Sequence, residues 1–259
     1  MHVDPAPWLS LFFCVGLVTL LISKLLVHQL PEWGMLDVPN ERSSHEIITP
    51  KGGGLSFALT ILSAYVILFV VDAITAPIII SIVPAAIVIL CIGFLDDKYH
   101  LSIRQRIIIH AVTAIYVLIT LHGLNKIDVA FVTLHWFILA NLLSFFAIIW
   151  LTNLYNFMDG INGLAVAQGV FVAMTMSIIN SLLYDPMIAT VLMIVACALL
   201  GFMPFNLFKP RLFMGDTGSG FLGFLFAVIM LWDIKLHPEL LIAWVMVLSL
   251  FWVDATFTL

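Results

Sequence analysis

Four polar clusters in this 259-residue chain combine residue types and spacings suited to chemistry on phosphates. Asp96 and Asp97 are adjacent in the run GFLDDKYHLS. Two anions at the C-terminal end of a predicted helix meet the negative pole of its dipole. A compensating cation is therefore expected there: Mg²⁺, Lys98, Arg104 or Arg106. Magnesium sites take one or two carboxylates and leave the remaining positions to water and phosphate. In NLYNFMDGING, Asn153, Asn156 and Asp159 recur at three-residue spacing and share one helical face. Gly160 and Gly163, on either side of Asn162, allow a ligand close to the backbone. The run NLFKPRLFMGDTGSG joins Asn206, Arg211, Phe213 and Asp216 to a cluster of glycines at a helix start. Free N–H groups at a helix N-terminus bind phosphate, and Asp216 stands where it could ligate a metal bridging to that phosphate. Earlier in the chain, Arg42 and Lys51 suit a phosphate or an anionic lipid head, and Gly52 to Gly54 let backbone approach a ligand.

Each cluster also has a plainer reading. The Asp96-Asp97 pair could be solvated at a helix exit, and Asn, Asp and Gly are favoured in caps and turns. Asp216 or Thr217 could simply cap a helix, which explains one residue of that run and not the whole of it. The first loop could be flexible with ordinary basic residues. His110, His122 and His135 lack partners at ligand spacing and read as structural or interfacial. Cys14, Cys91 and Cys197 lie far apart in apolar runs and read as small core residues.

The elements that must position these clusters follow from composition. Hydrophobic residues make up 63% of the chain and charged residues 10%, against about 45–50% and about 25% in soluble domains. Mean hydropathy is +1.17. These values exclude a soluble enzyme, a disordered chain and a disulfide-rich secreted module. The net charge of −5 leaves no basic footprint for nucleic acid. Apolar runs of about 20 residues predict an all-α, polytopic membrane bundle. Nine spans are expected, at 8–30, 53–71, 77–95, 105–122, 131–152, 161–181, 187–208, 217–232 and 239–259, in a single transmembrane domain. Arg42, Lys51, Lys98, Arg104, Arg106, Lys209 and Arg211 fall on one side, and Lys126 and Lys235 on the other. The positive-inside rule makes the first side cytoplasmic and the N-terminus external. Nearly all of the unusual polar clusters lie on that cytoplasmic side.

In order and topology, DVPNERSSH…TPKGGG, the Asp96-Asp97 pair, NLYNFMDGING and FN…RLFMGDTGS resemble the polyprenyl-phosphate N-acetylhexosamine-1-phosphate transferases. That family includes the phospho-N-acetylmuramoyl-pentapeptide transferases and the enzymes that initiate O-antigen and teichoic acid synthesis; the present chain looks more like the O-antigen type. The resemblance covers about residues 8–259. It implies transfer of sugar-1-phosphate from a UDP-N-acetylhexosamine to polyprenyl (undecaprenyl) phosphate, with UMP released. It also implies Mg²⁺, with Mn²⁺ able to substitute, a bacterial inner-membrane location with a cytoplasmic-face site, and a homodimer. Carried over residue by residue, Asp216 matches the metal-binding carboxylate, and Asp96 and Asp97 match the essential acidic pair. Asp159 and Asn156 line the nucleotide and catalytic pocket, and Phe213 stacks on uracil. Arg104 or Arg106 stands near the diphosphate, and Asn206 matches an Asn that precedes the FMGD-type run.

The chain departs from the family pattern twice. Asn162 replaces a frequent second acid, so it can hydrogen-bond a base but carries no charge. The chain also stops at Leu259, before the family's His-rich loop and last helix, which implies a truncated and impaired form. Two rival readings are an ion-coupled transporter using Asp96, Asp97 and Asp159, and a catalytically inactive binding subunit. The transporter predicts ionisable groups at the bilayer midplane, where these spans carry almost none.

Overall fold

The computed structural model describes residues 6–39, 47–129, 132–134, 136–207 and 209–258. Eight long helices run in succession: α1 (Ala6–Glu32), α2 (Gly54–Val70), α3 (Ala76–Tyr99), α4 (Ile103–Thr120), α5 (Phe137–Met158), α6 (Leu164–Leu183), α7 (Pro186–Asn206) and α8 (Gly215–Leu236). Seven of them are long and apolar enough to span a membrane; α2, with 17 residues, is just shorter. The chain is therefore a multi-pass helical membrane bundle, as expected.

Several boundaries differ from expectation; α3 and α8, for example, run on to Tyr99 and Leu236. The fifth helix does not begin at 131. Residues Ile127–Val129 (β1) and Val132–Leu134 (β2) pair as an antiparallel hairpin, and α5 starts at Phe137. The β-branched residues of IDV and VTL suit strand geometry. At its other end α5 runs past the expected 152 to Met158, so Asn153 and Asn156 sit on the helix, as their three-residue spacing implies. A second small hairpin pairs Leu36–Asp37 with Thr49–Pro50.

The ninth span is broken. Pro238–Leu240 forms one 3₁₀ turn, followed by α9 (Leu241–Val247) and α10 (Ser249–Thr258). Phe251 N–H turns to Leu248 O, and Val247 O instead accepts from Gln168 Nε2 of α6 at 2.7 Å. A side chain thus replaces the missing rung of the ladder, one of the identifiable causes of a helix kink.

Helix α8 forms the axis of the bundle and is buried without interruption from Thr217 to Ile234. From Phe221 to Trp232 it is apolar on all sides, the pattern of a fully enclosed helix. Its start admits close neighbours because it is built from small residues. The α-carbon of Gly218 lies against Gly54 of α2 so closely that a Cβ at Gly54 would collide with it. Gly93 of α3 packs in the same way on the backbone of Asp216 and Thr217. These contacts bring the ends of α3 and α5 and the starts of α2, α4 and α8 to one end of the bundle.

Candidate active site

All four clusters meet at that end. Asp96 and Asp97 occupy the last turn of α3 and are both buried, not solvated. Their two carboxylates are compensated differently. Asp96 Oδ2 pairs with Arg106 Nη1 at 2.7 Å, and its Oδ1 accepts from Leu101 N–H at 2.7 Å. Asp97 reaches across to the start of α8. Its Oδ1 accepts from Asp216 N–H at 3.0 Å, and its Oδ2 from Thr217 N–H at 2.9 Å and Thr217 Oγ at 2.5 Å. The negative pole of α3 thus carries a carboxylate that caps the positive pole of α8. Lys51 lies within electrostatic reach of Asp97. The free N–H groups expected to hold phosphate at this helix start are in fact engaged by Asp97.

Asp216 stands one residue into α8, half-buried. Its Oδ1 accepts from Asn156 Nδ2 at 2.6 Å, and its Oδ2 lies 3.4 Å from Arg106 Nη1. One guanidinium nitrogen therefore bridges Asp96 and Asp216, from two different helices. Asn156 Nδ2 also approaches Ser219 Oγ at 3.3 Å. Gly215, with φ +70°, makes the turn into α8, and a Cβ there would strike the Asp97 carboxylate. Asp159 follows α5 as its C-cap residue. Burial, with Asp97 and Asp216 nearby, pushes its carboxyl well above the usual range, and the Gly215 N–H partly opposes this.

The other expected residues divide. Of the two alternatives on α4, Arg106 enters the cluster, whereas Arg104 is exposed. Arg211 is exposed, and its guanidinium lies 5.0 Å from the Phe205 ring centre. Phe213 is half-buried in a backbone zipper: its N–H donates to Pro50 O at 2.8 Å, and Gly53 N–H donates to Phe213 O at 2.8 Å. This zipper brings Lys51 beside the third cluster. Asn162 is half-buried in the turn before α6. Arg42 lies outside the described residues.

Asn206 requires a correction. It is buried, its Oδ1 accepts from Gly163 N–H at 3.0 Å, and its Nδ2 donates to Leu212 O at 3.1 Å. It fastens the turn after α5 to the loop before α8, and its amide is not free for a phosphate.

His110, read as structural, is buried in α4, with Asn153 Nδ2 at 3.3 Å from its Nδ1. It stands one helical turn beyond Arg106 and lines a cavity of ≈ 20 Å³ beside Asp96, Arg106, Asn156 and Asp216. That volume holds about one water-sized group. The available signal was its four-residue spacing from Arg106, which puts both on one face of α4.

Among the described residues no three His, Cys, Asp or Glu side chains form a metal cage. Two carboxylates, Asp96 and Asp216, do converge on one cationic nitrogen. Two is the number Mg²⁺ uses when phosphates complete its shell, so the donor set fits that ion.

Residues 78–233 match the model of glycosyl transferase family 4, a stretch that includes Asp96, Asp97, Asp159 and Asp216. The Bacillus subtilis protein named "Probable undecaprenyl-phosphate N-acetylglucosaminyl 1-phosphate transferase" is 30% identical over 226 residues, covering 85% of this chain and 61% of that protein. The Mycobacterium tuberculosis decaprenyl-phosphate N-acetylglucosaminephosphotransferase is 30% identical over 236 residues, covering 83% of this chain and 56% of the relative. A phospho-N-acetylmuramoyl-pentapeptide-transferase of Staphylococcus epidermidis is 29% identical over 209 residues, covering 74% and 64%. The chain thus spans less than two thirds of the length of these relatives.

Proposed function

The chain belongs to glycosyl transferase family 4, and from that premise we propose that it transfers an N-acetylhexosamine-1-phosphate from a UDP-sugar to a polyprenyl phosphate such as undecaprenyl phosphate. The observation that carries the reading is the convergence of Asp96 and Asp216 on Arg106, at the end of a membrane bundle where all four motif clusters meet. The relatives named for polyprenyl-phosphate sugar phosphotransfer support it.

In the proposed reaction a phosphate oxygen of the lipid attacks the sugar-bearing phosphorus of the UDP-sugar. The bond from that phosphorus to the bridging oxygen breaks, and its electron pair leaves on UMP. The product is a polyprenyl-diphospho-sugar. Phosphate monoesters are largely ionised near neutral pH, so the attacking oxygen needs positioning more than a strong base. Such transfers depend chiefly on orientation and charge neutralisation.

The residues supply both. Asp216 and Asp96 would hold Mg²⁺, which neutralises phosphate charge when bound. Arg106 places a fixed positive charge between the same two carboxylates. Asn156 orients Asp216, and Asp97 fixes the backbone on which Asp216 stands. Asp159 lines the adjoining floor. Lys51 and Arg211 offer charge to the diphosphate, and Phe213 with Asn162 would receive the uracil. The reading places this end of the bundle at the cytoplasmic face of a bacterial inner membrane, with the product initiating a cell-envelope polysaccharide of the O-antigen type.

The test is label transfer from a panel of UDP-N-acetylhexosamines to undecaprenyl phosphate, with Mg²⁺ and with excess chelator. The proposal predicts lipid-linked label with one donor, lost on chelation and restored by Mg²⁺. Folded protein that labels no lipid with any donor contradicts it.

A further inference from the structure

We infer that His110 is a further phosphate-binding residue, presenting a neutral Nε2–H donor to a phosphoryl oxygen of a substrate; the inference rests on the transferase reading above. Asn153 sets the proton position on the His110 ring. Its Nδ2 lies 2.7 Å from Ile149 O and 3.3 Å from His110 Nδ1. A backbone carbonyl can only accept, so the amide nitrogen must be the atom facing Ile149. The same nitrogen then donates its second hydrogen to His110, which makes Nδ1 an acceptor. A ring whose Nδ1 accepts carries its proton on Nε2. Asn153 thereby selects the tautomer.

Nε2 has no hydrogen-bond partner among the described residues, and it is not one of the sealed, unpartnered polar atoms. It is the ring nitrogen left for the cavity that His110 lines. The acceptors already there are taken. Asp96 Oδ1 receives Leu101 N–H and its Oδ2 receives Arg106. Asp216 Oδ1 receives Asn156, and its Oδ2 faces Arg106. All four carboxylate oxygens have a donor, which leaves the His110 N–H, like the sealed Arg106 Nε–H, without an acceptor among the described residues. An incoming phosphoryl oxygen supplies the acceptor that the open His110 N–H lacks among the described residues. With Arg106 one turn away on the same face of α4, the pair would grip that group by one charge and one directed hydrogen bond.

Both substrates carry such oxygens, and the experiment separates them. The full chain is compared with His110→Gln and His110→Asn. Glutamine places an amide N–H near the Nε2 position, whereas asparagine reaches only the Nδ1 position. For each form, kcat and KM are measured separately for undecaprenyl phosphate and for the UDP-sugar. The shift in thermal unfolding caused by each substrate alone is recorded alongside. His110→Gln is expected to stay within about threefold of wild type. His110→Asn is expected to lose about tenfold or more against one substrate, the scale of a hydrogen bond to a charged group. The substrate affected identifies the phosphate held. Equal losses in both variants, or none in His110→Asn, would overturn the inference. If wild type transfers nothing, the transferase reading fails, and the substrate-induced shifts still judge His110. A shift lost in Asn and kept in Gln supports the inference; shifts equal in all three forms, or absent from wild type, overturn it.

Discussion

Helix α8 carries a carboxylate near each end, Asp216 and Asp233, and the bundle treats them in opposite ways. Asp216 stands among small residues and is partly open. One of its oxygens accepts from an amide, and the other faces a guanidinium shared with Asp96. Asp233 is fully buried. Its Oδ2 accepts from Asn180 Nδ2 at 3.0 Å and Trp244 Nε1 at 2.7 Å, both neutral donors, and its Oδ1 is sealed without a partner. Trp232 packs beside it, with its indole N–H on Ser81 Oγ at 2.7 Å. One end of the helix combines exposure, opposite charges and a second carboxylate, the conditions for binding an exchangeable ion or a phosphate. The other end uses a carboxylate to tie α6 and α9 to α8. A buried acid is therefore not by itself a sign of chemistry; exchangeable charged partners and an opening are what distinguish the two.

The largest expected effect comes from Asp97, which joins the motif end together. Asp97→Ala leaves two α8 N–H groups and the Thr217 hydroxyl without their acceptor. At about 1–3 kcal/mol for an orphaned buried group, the expected loss is roughly 3 kcal/mol or more, with transfer activity lost as well. Thermal unfolding in detergent, followed beside the transfer assay, checks both. Stability at the wild-type level would separate Asp97 from the α8 start.

At the opposite end, Asp233→Ala orphans Trp244 Nε1 and takes one of two acceptors from Asn180 Nδ2, which keeps Met176 O. A loss of about 2 kcal/mol is expected, without a change in transfer rate per folded molecule. A rate that collapses while the fold survives would erase the distinction between the ends.

The smallest effects separate two glycines in the first turns of α8. A Cβ at Gly218 would lie 2.7 Å from the Gly54 α-carbon, whereas at Gly220 it would meet nothing within 4 Å. Gly218→Ala should cost about 1–3 kcal/mol through overpacking. Gly220→Ala should be neutral or stabilising by up to about 1 kcal/mol through helix propensity. Unfolding midpoints of the two variants should move apart, and equal midpoints would contradict the close α2–α8 approach.

Much of this arrangement can be read in the residues. Apolar runs broken at Asp72–Pro77, Tyr184–Pro186 and His237-Pro238 place most of the helices within a few residues. The charge asymmetry sorts the motifs to one end, where the structure joins them. What could not be read depends on partners far apart in sequence. The break after Val247 is held by Gln168, 79 residues away, and nothing local to either residue announces it. Asp97 looks like half of a catalytic pair until α8 arrives 119 residues later to be capped by it. Asn206 looks like a ligand because it adjoins the motif, yet its amide is taken up by two backbone groups. Asp233 falls just past the expected span 217–232, and only the extension of α8 to Leu236 places it inside the bundle.

The most direct test of the central claim sets Asp216→Asn beside Asp233→Asn in the same membranes, with transfer measured per folded molecule. Both changes exchange a carboxyl for an amide of nearly the same shape. The account predicts a fall of about a hundredfold or more for Asp216→Asn, the scale of losing a preorganised charge at a phosphoryl site. Asp233→Asn should remain within about threefold of wild type, a barrier change of under about 1 kcal/mol. Equal losses in the two variants, or an Asp216→Asn protein that transfers at the wild-type rate, would contradict it.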